Sequence, residues 1–249
     1  MSAAFDVLAI GPHPDDVEIF CGGTVALMVR QGRRVAILDL SRGELSSRGT
    51  TAIRAAEAEV AASVLGVTTR LQLGLPDGHI RADDDSCTRL VRVLRELRPT
   101  IVLAPWRSER HPDHEAAAEL VFRALFMAGL RRFDASPGLE AHTVSEVLSY
   151  PMRVEAPIRM LVDISEVMDT KLAAMAAHAS QLAPHPGAPP TLVGSAESGE
   201  ALRARDRYFG AMAGCTFAEG FVTRSVPVIQ DPVAVFSGRG TPHFYQEPK

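Results

Sequence analysis

Two short stretches of the chain carry residues that could do metal chemistry. His13-Pro14-Asp15-Asp16 follows a sharply bounded apolar run, and Arg110-His111-Pro112-Asp113-His114 follows another in mid-chain. A catalytic zinc takes three protein ligands from His, Asp or Glu and keeps a fourth position open. His13, Asp16 and His114 make up such a set. His13 and Asp16 are three residues apart on a strand-to-helix turn stiffened by Pro14, and His111 and His114 are three apart at a helix start, so each pair can face one way. The adjacent carboxylates Asp15 and Asp16 repel each other unless a cation lies close by. If Asp16 is a ligand, Asp15 is free to accept a proton from an attacking water, whose pKa a zinc ion lowers to around 7. His111, flanked by Asp113, could be an imidazolium that stabilises an oxyanion or protonates a leaving amine. Arg54 and Arg110 are candidate clamps for an anionic or hydroxyl-rich substrate, and Glu44 is a further candidate contact. A plainer reading stands beside this one: aspartates also cap helices and suit their N-termini. The same ligand types accept iron, cobalt or manganese.

The elements that must position these residues follow from the hydrophobic pattern. Phe5 to Ile10, Arg34 to Leu40, Arg70 to Leu73 and Thr100 to Ala104 are brief apolar runs of the kind that form buried parallel strands. Helical spacing follows them from about Asp16 to the stop at Gly32, over Thr51 to Leu65, Asp85 to Arg98 and Pro112 to Ala128. Both motifs thus leave the carboxyl ends of strands, where open α/β sheets place their sites, as does the polar loop Ser41 to Thr50. Gly22-Gly23 lies inside the first helix at a cost of about 1 kcal/mol each relative to alanine, so it permits close approach either of a ligand or of a packed neighbour. The second half is less regular. It offers strands at Val144 to Tyr150, Met160 to Ile164 and Val226 to Ile229, a helix from Ser165 to about His178 capped by Ser165, a Pro-rich loop around Ala183 to Gly199, and a basic helix near Glu200 to Met212. His178, His185 and His243 have no partner pattern and read as surface histidines.

The 249 residues suit one α/β domain with a sizeable core. A net charge of −4 with scattered basic residues gives no footprint for nucleic acid or an anionic membrane. The three cysteines, Cys21, Cys87 and Cys215, fit neither a disulfide framework nor a thiolate zinc site. No leader pattern or membrane-length apolar run is evident, so a cytoplasmic location is expected. A dinucleotide fingerprint, a Walker lysine and a Gly-x-Ser-x-Gly elbow are all missing. The competing class is a Rossmann-like module that binds a metal or sugar without turnover; a second, non-ligating carboxylate, Asp15, argues against it.

At Pro12 to Asp16 and His111 to His114 the chain resembles the LmbE-like, or PIG-L, family of zinc-dependent N-deacetylases. Further stretches resemble its bacillithiol-biosynthesis branch, the N-acetylglucosaminyl-malate deacetylases: Ser41-Arg42-Gly43-Glu44, Arg48-Gly49-Thr50, Leu75-Pro76-Asp77-Gly78, Ser149-Tyr150-Pro151, Val162-Asp163-Ile164-Ser165 and Arg205-Asp206-Arg207-Tyr208-Phe209-Gly210. The resemblance implies a Rossmann-like, mostly parallel sheet flanked by helices, spanning residues 1–249 as one LmbE-like domain. It implies one zinc per chain held by His13, Asp16 and His114, Asp15 as general base, His111 as electrophile oriented by Asp113, and Arg54 and Arg110 on the substrate. That substrate is a small N-acetylated amino-sugar conjugate, the malate conjugate in this branch and an inositol or chitooligosaccharide conjugate in others. A homo-oligomer, a hexamer in this branch, is also implied. Phe217 stands where many relatives have tyrosine, and the Pro-rich stretch is unusual.

Overall fold

The computed structural model describes residues 4–134, 136, 138–152, 155–183, 191, 194–237 and 240–242. The expected alternation of strand and helix is present through β1 (Val7–Gly11), α1 (Asp16–Arg30), β2 (Val35–Ser41), α2 (Thr51–Leu65), β3 (Thr69–Leu75), α3 (Asp84–Leu97), β4 (Ile101–Pro105) and α4 (Pro112–Ala128). The chain continues through β5 (Glu146–Tyr150), β6 (Met160–Asp163), a 3₁₀ turn at Ser165–Val167, α5 (Met168–Ala177), α6 (Ala179–Leu182), α7 (Ala196–Ala213), β7 (Ala218–Thr223) and α8 (Pro232–Phe236). The strands form one sheet in the order β3-β2-β1-β4-β5-β7-β6. The first five in this order run parallel, and β7 is antiparallel to both β5 and β6.

Alternate residues of β1 feed the two faces. Leu8 and Ile10 join a core with Leu90, Leu94, Leu120 and Val121 from α3 and α4, whereas Val7 and Ala9 join Val17, Val25, Leu65 and Met175 from α1, α2 and α5. The chain order reverses between β1 and β4, and this switch point is where an α/β sheet opens a crevice at its carboxyl edge.

Three expectations need correction. Val226 to Ile229 is not a strand; Val226 and Val228 are 88% and 92% exposed, with Pro227 between them. The strand is β7, whose pattern is interrupted by a buried Glu219 and by Gly220. Ser165 does not cap a helix: its hydroxyl donates to Asp163 and accepts the N–H groups of Thr216 and Phe217, so it ties the loop before α5 to the start of β7. The helix expected from Glu200 begins earlier, at Ala196, and the Pro-rich loop lies largely outside the described residues.

Candidate metal centre

His13 and Asp15 sit on the turn from β1 into α1, and Asp16 begins the helix. His111 precedes α4, where Pro112 occupies the first turn and places Asp113 and His114 behind it. Because β1 and β4 are adjacent and parallel, the two turns lie side by side. The ligand atoms of His13, Asp16 and His114 lie within 4.8 Å of one another. Asp16 bridges the other two, with Oδ2 3.1 Å from His13 Nδ1 and Oδ1 3.3 Å from His114 Nε2. All three are buried, and His114 Nδ1 has no hydrogen-bond partner among the described residues. Two imidazoles and a carboxylate converging at one point of the pocket are a donor set that suits a divalent ion.

Around His13 the charge balance is one-sided. Its Nε2 is 3.1 Å from Asp77 Oδ1 and 3.2 Å from Asp113 Oδ2. Burial works against a charge on the ring, but hydrogen bonds to Asp113, Asp16 and Asp77 outweigh it and push His13 up to about 12. Burial also opposes ionisation of Asp16, yet His114 and His13 hold it well below the usual carboxylate range. Asp113 is itself fixed by the N–H groups of Gly78 and Ile80, at 2.7 and 3.3 Å. A carboxylate behind a histidine in this way orients the ring as a ligand and raises its basicity.

Asp15 takes the opposite character. Its backbone has φ 147°, a region that non-glycine residues rarely enter, and such strain of about 1–3 kcal/mol collects at functional sites. Burial raises its carboxyl and Asp16 adds to that, with Arg54 opposing, for a value of about 6. A base poised there works near neutral pH. Arg54 donates Nη2 to Asp15 Oδ2 at 3.3 Å and to the Pro14 carbonyl at 2.9 Å, and Nη1 to the Gly43 carbonyl at 3.1 Å. Gly43 is required for that approach: at φ +64°, a Cβ would overlap the Arg54 guanidinium.

These residues line a cavity of about 400 Å³, whose walls include Ile19, Phe20, Leu45, Met152 and Gln181. The expected substrate contacts divide. Arg110 lines the cavity and makes no hydrogen bond or ion pair among the described residues. Arg54 lines it too, but Nη1 and Nη2 both donate to the protein, and Nε alone of its nitrogens has no partner among the described residues. Glu44 does not line it; Glu44 Oε1 accepts the Asp77 N–H and braces the loop. The pairing of Asp113 with His111 is also different from expectation. The Asp113 carboxylate pairs with His13 and lies within 4.8 Å of a His111 ring nitrogen, but the hydrogen bond to His111 comes from the Asp113 backbone N–H, donating to Nδ1 at 3.2 Å. Burial and the neighbouring His13 and His114 push His111 down, which favours the neutral ring over the imidazolium. With Nδ1 accepting, the proton resides on Nε2, which leaves a donor for the cavity.

Asp77 and Gln181 were not anticipated as site residues. Leu75-Pro76-Asp77-Gly78 entered only as a stretch of family resemblance, with no role for Asp77, and nothing local marks Gln181, which accepts from Ser46 Oγ and donates to the Arg48 carbonyl to hold the polar loop over the cavity. His178 is no surface histidine; it is fully buried with Nε2 3.4 Å from Glu18 Oε2. His185 and His243 lie outside the described residues. The three cysteines are free. No helix among the described residues is long and apolar enough to cross a membrane.

Comparison with known proteins accords with this geometry. The sequence model described as PIG-L, GlcNAc-PI de-N-acetylase, matches residues 8–125. The diacetylchitobiose deacetylase of Thermococcus kodakarensis is 35% identical over 236 residues, covering 90% of this chain and 84% of that protein. A probable N-acetyl-alpha-D-glucosaminyl L-malate deacetylase 2 of Bacillus cereus is 27% identical over 188 residues, covering 70% of this chain and 83% of that protein. Among solved structures, a conserved protein of Thermus thermophilus superposes with a TM-score of 0.82 at 38% identity, covering 92% of this chain and 98% of that one.

Proposed function

The chain belongs to the PIG-L, LmbE-like family of de-N-acetylases, and from that premise we propose that it is a zinc-dependent hydrolase removing the acetyl group from an N-acetylglucosamine unit of a neutral chitooligosaccharide. The observation that carries the reading is the convergence of His13, Asp16 and His114 beside a second, non-converging carboxylate, Asp15. Zinc, when bound by those three residues, would supply the Lewis acid that activates water and polarises the acetyl carbonyl. Asp15, with its carboxyl near 6, removes the proton from the attacking water as the new C–O bond forms. His111 Nε2–H donates to the oxygen on which negative charge develops. Asp15 returns the proton to the sugar nitrogen as the C–N bond breaks, giving acetate and free amine. Arg54 holds Asp15 in place, while Asp77 and Asp113 hold His13.

Two features support a neutral substrate over the malate conjugate implied by the branch resemblance. A malate aglycone would bring two carboxylates into a cavity whose one uncommitted guanidinium among the described residues is Arg110, beside Asp15, Asp16 and Asp77. The identity to the chitobiose deacetylase is also higher and extends over more of this chain than that to the malate deacetylase. The test is release of free amine from N,N'-diacetylchitobiose, N-acetylglucosaminyl-malate and an N-acetylglucosaminyl-inositol by zinc-loaded protein. We expect the highest kcat/KM on the disaccharide. Preference for the malate conjugate would return the bacillithiol assignment, and no turnover of any would favour a binding module.

A further inference from the structure

The helix that carries Asp16 is broken one turn beyond the site. At Cys21 the backbone of α1 leaves helical geometry, with φ −142° and ψ 16°. In an unbroken helix the Gly23 N–H would donate to the Ile19 carbonyl four residues back. Here each half of that bond has another partner. Gly23 N–H donates to Glu219 Oε1 at 2.9 Å, and Thr24 N–H donates to Glu219 Oε2 at 2.7 Å. The Ile19 carbonyl accepts from Arg205 Nη2 at 3.1 Å. A carboxylate on β7 thus caps the start of the second half of α1, and a guanidinium on α7 caps the end of the first.

The two caps are joined to each other. Lys171 Nζ lies 2.7 Å from Glu219 Oε1 and 2.6 Å from Asp206 Oδ2, and Asp206 Oδ1 accepts Arg205 Nε at 3.0 Å and Nη2 at 2.8 Å. Two cations and two anions, all buried, balance within the group. Desolvation offsets most of the attraction in such a group, so its contribution lies more in fixing geometry than in stability. What it fixes is the segment before the break, from which Asp16 reaches His114 and Ile19 and Phe20 form the cavity wall. The Arg205 guanidinium sits 5.3 Å over the Phe20 ring, and that ring stacks on Tyr150 at 6.0 Å and meets His114 edge-on at 6.4 Å.

We propose that Glu219 and Arg205, linked through Lys171 and Asp206, are positioning residues for the metal centre, clamping the break in α1 so that Asp16 and Phe20 are presented to His114. The inference rests on the zinc reading above, and its first readout needs no substrate. Zinc affinity is measured by chelator competition on wild type, Glu219→Gln, Arg205→Lys and, as a control, Leu90→Ala in the core on the other face of the sheet. In Glu219→Gln the side-chain amide would offer one acceptor oxygen to two backbone N–H groups; zinc affinity should fall by about 10–100-fold, the range for losing a supporting shell. Amide exchange at Gly23 and Thr24 should accelerate, and kcat should fall with KM unchanged. Arg205→Lys keeps the charge but replaces the planar Nε–Nη2 fork on Asp206 and the Ile19 carbonyl by a single ammonium, so it should lose affinity to a smaller extent. Leu90→Ala should melt earlier yet bind zinc as wild type does. Wild-type affinity in Glu219→Gln, or a loss no larger than that of Leu90→Ala, would overturn the proposal. If Glu219→Gln does not fold, Arg205→Lys decides in the same way. A wild-type protein that takes up no zinc sinks the metal reading instead, and that is seen before any variant is compared.

Discussion

Replacing Asp15 with asparagine should stabilise the metal-free protein while nearly abolishing turnover of the zinc-loaded one. Burial raises the Asp15 carboxyl, Arg54 opposes and Asp16 adds, and the outcome is a rise from 3.8 to about 6. The folded pKa lies above the unfolded one, so the fold disfavours the ionised form. Below about pH 3 the carboxyl is protonated in both states and carries almost no penalty. The penalty grows between about pH 4 and pH 6 and is constant above that. A shift of about two units at about 1.4 kcal/mol each gives about 3 kcal/mol at neutral pH, with the pull of Arg54 already counted. Asparagine keeps an oxygen for Arg54 and accepts the φ of 147° at least as well as aspartate. The variant should therefore gain up to about 3 kcal/mol at pH 7.5, raising Tm by roughly 2–4 °C per kcal/mol. At about pH 3 the difference should nearly vanish. Urea denaturation of metal-stripped wild type and variant at the two pH values measures both. Equal or lower stability of the variant at pH 7.5, or an equal gain at both, would refute the reasoning. With zinc restored, kcat should drop by about 10²–10⁴ at unchanged metal content; full activity would remove Asp15 as the base.

Three further substitutions test neighbouring parts of the account. Asp113→Asn deprives His13 of a carboxylate acceptor and should weaken zinc binding by about 10–100-fold in chelator competition; an unchanged affinity would return Asp113 to an effect on His111 alone. Gly23→Ala and Gly22→Ala should differ in sign. A Cβ on Gly23 would stand 2.7 Å from Ile164 Cδ1, an overpacking that costs about 1–3 kcal/mol. On Gly22 the nearest atom is Lys171 Cγ at 3.6 Å, an ordinary contact, so the helix gains about 1 kcal/mol. Thermal melts that move the same way for both would refute the packing argument.

The first half of the fold and the three converging residues were legible because their signals are local. The runs around Leu8, Leu38 and Leu103 are apolar on both faces, as strands covered by helices must be, and His13 and Asp16 share one turn. The second half was not, because its decisive elements break the local rules. β7 hides a glutamate among buried residues, which makes sense only once Gly23, Thr24 and Lys171 are brought to it from elsewhere in the chain. The valines at 226 and 228 have the composition of a strand with nothing to pair with. Partnerships between distant residues failed in the same way: proximity in sequence assigned Asp113 to His111, whereas the fold brings it to His13, which belongs to the other motif. Gly22-Gly23, open to two readings in the sequence, serves the close approach of Ile164 and the capping of a broken helix rather than a ligand.

The carboxylates around His13 also account for how the two motifs divide the chemistry. Asp16, Asp77 and Asp113 all face His13, and together they hold a proton on it up to about 12. A histidine must give up such a proton to serve as a ligand, so in the proposed zinc enzyme metal uptake would release a proton from His13. Asp15 stands outside this group. It turns instead to Arg54, a single guanidinium shared with two backbone carbonyls, and stays near 6 while Asp16 is held well below the usual range. Adjacent carboxylates pushed apart in this way fit the proposed division, with Asp16 as ligand and Asp15 as base. The neighbours differ accordingly: Asp15, at φ 147°, pairs with Arg54, whereas Asp16 begins α1 and reaches both His13 and His114.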